Sequence, residues 1–307
     1  MQKIYSYIEK IIKEDSKIKE KLIVSFFALC GIITILITIG IVSVLLADTI
    51  NFFRKTSIIE FFSSTEWTPL FFDKHYGILP LLLGTLVTSF IAMIVAVPIG
   101  LTIAIYLSEY APRKFSLFLK PILEILASIP TVIYGFFALI YVTPALQLFF
   151  PNIGTFNALS AGIVMGIMII PYVTSLSEDS LRSLPNNLRE SAYALGSTRL
   201  QTAFKVMIPA ASSGITVSVL LAVSRALGET MIVAIAAGQE PRFSINPLNA
   251  METISTYIVQ VSMGDVTHNS IEYQSMFAAG MMLFIFTFLL NNISLWVKGK
   301  LAKKYEQ

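Results

Sequence analysis

Six stretches of this chain are apolar over the roughly 20 residues that a helix needs to cross a hydrocarbon core: residues 22–47, 78–107, 120–143, 157–177, 209–237 and 273–297. A bilayer offers backbone amides no water, so each spanning segment must satisfy its hydrogen bonds internally. The fold class that follows is an all-α integral membrane protein with six transmembrane helices. Composition agrees, since 55% of residues are hydrophobic and only 13% charged, too few charges to cover a soluble domain. The first run is longer than the apolar region of a cleavable signal, and it reads as an uncleaved anchor.

Lysine and arginine divide unevenly between the two sides. Alternate connecting segments carry 17 of them on one side and 4 on the other, with Arg225 left inside a span. The positive-inside bias then puts four regions in the cytoplasm: the N-terminal segment 1–21, the loops 108–120 and 178–208, the latter containing the coupling loop 182–208, and the tail 298–307. Within the first segment, Ile4, Ile8, Ile11 and Ile12 share one helical face opposite lysines and glutamates, which suggests an amphipathic helix on the inner leaflet or against another subunit.

Several chemistries are excluded or unsupported. Cys30 is the single cysteine, and His75 and His268 stand in polar connections with no metal-ligand spacing, so no metal site and no thiol chemistry are expected. With a net charge of only +3, spread over membrane-flanking segments, nucleic acid is not a partner. Trp67 and Tyr76 precede the second span and fit an interfacial belt. Ile254, Tyr257, Ile258 and Val261 have helical spacing in an outer loop and predict a surface helix. Pro80, Pro98, Pro130 and Pro171 interrupt spans, as cavity-lining helices do. Gly162 and Gly166 have the spacing of a close helix contact.

Two features remain. In the loop 182–208, Asn187 with Glu190, and Thr198 with Gln201, can each cap a short helix, and Gly196 can end the first of them. In the fifth span, Arg225 and Glu229 lie four apart, and on a continuous helix they share a face with Gly214, Ser218 and Ala222. A charge at mid-membrane costs about 2.5–3.5 kcal/mol on insertion scales, so the pair needs a reason to persist. One reason is packing by a buried ion pair or a snorkelling arginine. The other is that Arg225 offers a fixed fork of donors to a passing anion while Glu229 tempers its hold.

The series Glu190, Ser191, Ala192, Gly196 and Pro209 resembles the "EAA" coupling loop of ABC importer permeases. The runs YGILPLLLGTLVTSFIAMIVAVPIGLTIAIYLSEYAP (76–112), SIPTVIYGFFAL (128–139) and RALGETMIVAIAAG (225–238) resemble the C-type permease subunit of the phosphate-specific (Pst) ABC importer. That resemblance implies a type I ABC importer permease fold that forms half of a phosphate pathway, with no catalysis of its own. It also implies partners: an A-type permease, two cytoplasmic ATPase subunits that bind the ATP and magnesium, and an extracytoplasmic phosphate-binding protein. Arg225 and Glu229 would lie on the phosphate path, and Glu190, Ala192 and Gly196 at the ATPase contact. No cofactor is expected in this chain, whose sole Gly-Lys, at 299–300, lacks the residues of a phosphate-cradling loop. A permease for molybdate or sulfate, the A-type sister, and a stand-alone transporter or channel are the alternatives.

Overall fold

A computed structural model describes the backbone of residues 2–305 and the side chains of 20–112, 114–296 and 299. The isoleucine face expected near the N-terminus lies outside those described side chains. Among the described residues fourteen α-helices succeed one another. They are α1 (Gln2–Phe53), α2 (Ile58–Ser63), α3 (Leu79–Ile105), α4 (Arg113–Ser128), α5 (Thr131–Phe137), α6 (Thr143–Gln147), α7 (Ala158–Arg182), α8 (Asn186–Ala194), α9 (Arg199–Thr202), α10 (Ile208–Ala210), α11 (Ser212–Leu227), α12 (Met231–Ala236), α13 (Ile254–Met263) and α14 (Ile271–Tyr305). Four helical stretches, Glu20–Phe53, Leu79–Tyr110, Ala158–Arg182 and Ile271–Trp296, are long and apolar enough to cross a membrane, and two bent pairs raise the number to six.

The first of those bends falls at the proline expected to interrupt the span 120–143, and the second departs from a continuous helix over 209–237. The first pair turns by 85° between Ser128 and Thr131. Its cause is Pro130, which forces Ile129 into extended backbone (φ −61°, ψ 131°). The second turns by 74° between Ala210 and Ser212, and the chain then breaks again at Gly228–Thr230, between α11 and α12. By contrast Pro98, Pro121 and Pro171 remain inside helices.

The centre of the molecule is the contact between α3 and α7, and small residues make it close. A Cβ added to Gly162 would lie 2.7 Å from Ile91 Cβ, and one added to Gly166 would lie 2.8 Å from the Ala92 carbonyl. The contact continues at Gly100, whose added Cβ would meet Val173 at 2.8 Å. Around this seam Ala92, Ala96, Val164, Met165, Met168 and Val173 are buried. The small face of α11 packs on α7 as well, with the Ser218 and Ser177 hydroxyls 2.7 Å apart and Gly214 against Ser180. That stripe is therefore a helix contact.

A second core lies where α1, α2 and α13 meet the segment before α3. Trp67 and Tyr76 pair across a short antiparallel bridge and are 1% and 6% exposed, so they form core rather than an interfacial belt. Phe61 and Tyr257 flank Trp67 edge-on, with ring centroids 6.2 and 4.9 Å away. The helix expected around 254–261 exists as α13, capped by Thr253 and Thr256. Its apolar face, however, is buried in this cluster, with Ile254, Tyr257 and Val261 all hidden. The loop before it folds inward: the Ala158 and Leu159 amides at the start of α7 donate to the carbonyls of Asn249 and Pro247.

Candidate functional site

Arg225 sits near the end of α11, and its surroundings follow from the helices beside it. Its guanidinium lies 4.2 Å above the Tyr172 ring on α7, a cation–π contact worth about 2 kcal/mol when desolvated. One terminal nitrogen is 4.0 Å from Met168 Sδ. The buried Nε has no hydrogen-bond partner among the described residues. Tyr172 thus holds the plane of the fork without using its donors.

Below Arg225 is a cavity of about 700 Å³ lined by α4, α7 and α11. Its lining runs from Arg225 and Tyr172 past Ser175 to Glu124, Glu178 and Lys120. Glu178 lies near the C-terminal end of α7, which leads into α8, and Lys120 lies midway along α4. This is the end of the bundle where the cationic loops 108–120 and 182–208 converge. Glu178 is fully buried there and lies between Lys120 Nζ at 2.8 Å and Arg182 Nε at 2.5 Å. Lys120 also reaches Asp179 at 3.4 Å. Its charge is thus taken up by two acids, which leaves Arg225 as the cation in the lining that no carboxylate within 4 Å neutralises among the described residues.

Glu229 is not placed as the four-residue spacing anticipated. Helix α11 stops at Leu227, and Gly228 ends it. Glu229 therefore leaves the helical face, and no ion pair joins it to Arg225 among the described residues. Its Oε1 instead accepts from the Ile232 amide at 3.4 Å, closing the start of α12. The fork above the cavity and the acid beside the break are separate devices.

The second group of expected residues lies on α8. The cap differs from the expectation: Pro185, rather than Asn187, precedes the helix. Its end follows the glycine rule closely. Gly196 has φ +82°, its amide donates to the Tyr193 carbonyl, and the Ser197 amide donates to that of Ala192, the double closure of a Schellman motif. Thr198 and Gln201 form the anticipated capping box of α9. Ala192 is buried, whereas Glu190 and Gly196 face outward. Tyr172, Glu178 and the ion pair between Glu109 and Arg189 were not anticipated. The one signal for any of them was the spacing of Glu178 and Arg182, four apart on one helix.

Comparison with known proteins gives this geometry a lineage. A probable ABC transporter permease protein of Bacillus subtilis (strain 168), YqgH, is 35% identical over 263 residues, covering 85% of this chain and 84% of that protein. The phosphate transport system permease protein PstC of Xylella fastidiosa (strain 9a5c) is 36% identical over 266 residues, 80% of each chain. Among solved structures, an inward-facing methionine ABC transporter, MetNI, superposes with a TM-score of 0.54 at 18% identity, covering 73% of this chain and 94% of that one. This is the type I ABC importer permease fold. Residues 96–304 match the family profile itself, and the chain belongs to the binding-protein-dependent transport system inner membrane components.

Proposed function

We propose that this chain is the permease subunit of an ATP-driven importer of inorganic phosphate, forming half of the translocation pathway. The observation that carries the reading is the Arg225 fork, braced on Tyr172 with a buried, unpartnered Nε above a cavity of about 700 Å³. A planar guanidinium presents paired donors to an oxyanion, and it stays charged at any working pH. The likeness to a phosphate transport system permease supports phosphate as that oxyanion.

In this reading both termini and the loops 108–120 and 182–208 are cytoplasmic, and the membrane is the prokaryotic plasma membrane. An A-type permease completes the pathway, and a phosphate-binding protein delivers the solute from outside. Two ATPase subunits engage α8 through Glu190 and the turn at Gly196, with Ala192 packed behind them. ATP and magnesium belong to those subunits. The chain itself moves the anion without forming or breaking a covalent bond.

Losing one charge-assisted contact of about 1.5–3 kcal/mol predicts that Arg225→Gln lowers phosphate uptake by about 10- to 100-fold. Labelled phosphate uptake in vesicles holding the complete complex measures this. Wild-type rates in Arg225→Gln would remove the anion role. Uptake that persists without the ATPase subunits would favour a stand-alone carrier. Competition by sulfate or molybdate stronger than by phosphate would reassign the solute.

A further inference from the structure

Helix α8 is weakly held by apolar packing: of its nine residues only Ala192 is buried. It packs on residues 203–207 ahead of α11, and its link to the end of α3 is polar. Arg189 Nε lies 3.2 Å from each carboxylate oxygen of Glu109, and Nη2 lies 2.9 Å from Oε1. The same Nη2 donates to the Leu181 carbonyl at 3.0 Å. Both partners are withdrawn from solvent, with the Glu109 side chain 2% exposed and that of Arg189 15%.

Glu109 belongs to a widened turn, Tyr106–Tyr110, in which the Ala111 amide reaches back to the Tyr106 carbonyl at 2.8 Å. Such turns interrupt regular helical bonding and deform more readily than the helix they extend. This one continues α3, the helix packed along α7, which in turn carries Tyr172 under Arg225. Arg182 grips the same corner, donating to the Leu107 carbonyl at 3.1 Å and the Ser116 hydroxyl at 2.8 Å.

We propose that the Arg189–Glu109 pair is the tie through which displacement of α8 reaches α3, so that Arg189 and Glu109 are positioning residues for the coupling of hydrolysis to transport. The inference rests on the proposed docking of an ATPase at α8. A two-pronged guanidinium–carboxylate contact resists both sliding and rotation, as a single lysine contact would not. Glu190, the neighbour of Arg189, points away from the bundle and is left for the partner.

The test uses the whole complex in vesicles, with Arg189→Met and Glu109→Gln compared with wild type. Three quantities are read: ATPase subunits retained on purification, phosphate moved per ATP hydrolysed, and thiol labelling of Ser175→Cys, a cavity residue, in a Cys30→Ser background with ATP and vanadate. The tie predicts normal retention, continued hydrolysis, a transport-to-hydrolysis ratio reduced by about fivefold or more, and loss of the nucleotide-dependent protection of the cavity thiol. The exchanged pair, Arg189→Glu with Glu109→Arg, should recover part of the ratio. An unchanged ratio in the single variants, loss of the ATPase subunits, or an exchanged pair no better than the singles would each overturn it. Should the singles fail to accumulate, Arg189→Lys carries the test, an intermediate ratio supporting the tie and a wild-type ratio overturning it. A wild-type complex that protects the cavity thiol but moves no phosphate would sink the phosphate reading and leave the tie standing.

Discussion

Glu252 and Glu178 are hidden to the same degree, 1% and 0% exposed, yet the molecule treats them in opposite ways. Glu178, at the α8 end, sits between two cations. Glu252, in the loop before α13, has an Oε1 with no partner, and burial pushes its pKa up to about 8. Its backbone carbonyl presses on α3 where Gly84 leaves room, 2.2 Å from where a Cβ would stand. A buried carboxyl can be made tolerable by neutralising it with a proton or by pairing it with cations. The α13 end of this bundle uses the first means and the α8 end the second.

The largest effect expected from this contrast is in pH dependence at Glu252. Between the ordinary carboxylate value near 4.3 and about 8, the folded chain keeps a proton that the unfolded chain has released. Stability therefore falls as pH rises through that window and levels off above it, by roughly 3–5 kcal/mol in total. Glu252→Gln should flatten the profile, with a thermal midpoint near that of wild type at pH 5 and higher at pH 8.5. A variant that is less stable than wild type at pH 8.5 would mean that the carboxylate has a partner and that the two ends are not opposites.

Glu178→Gln should do the reverse. It leaves Lys120 and Arg182 without their shared acid, and because both cations keep some water the cost is smaller, about 2–3 kcal/mol. The thermal midpoint should drop at pH 7, and the drop should shrink in high salt as the two cations find counterions. A midpoint equal to wild type at low salt would show that the cluster is solvated in solution and that pairing is not what holds the α8 end.

Much of this contrast was hidden in the sequence, and the reasons are specific. Arg225 stood out because a charge inside an apolar run is costly wherever the chain folds. The capping box at Thr198 and the glycine at 196 were legible because they are local, each closed within six residues. Pro130 breaks its span while Pro98 and Pro171 stay inside helices, a difference that the proline alone does not announce. The face of Ile254, Tyr257 and Val261 has the same period whether it meets solvent or a tryptophan, and here Trp67 takes it. Arg189 finds Glu109 across 80 residues, a distance over which no periodic pattern speaks. The Arg225–Glu229 spacing misled because it presumed that the helix continues past Gly228.

Gly196 offers the smallest effect and separates two kinds of constraint at the α8 end. Its φ of +82° is one that residues with a Cβ avoid, yet among the described residues nothing beyond its chain neighbours lies within 4 Å of where that Cβ would be. Gly196→Ala should therefore cost only the backbone strain, about 1 kcal/mol. Asparagine tolerates the left-handed region better than alanine does, so Gly196→Asn should recover most of that stability. If the glycine matters only for ending α8, coupled transport should follow stability, reduced in the alanine variant and near wild type in the asparagine one. If an ATPase surface occupies the open space, both variants should lose transport alike despite their different midpoints, because a partner excludes any side chain. Uptake and thermal midpoints measured side by side on the two variants decide between a turn that merely ends a helix and a turn pressed against another subunit.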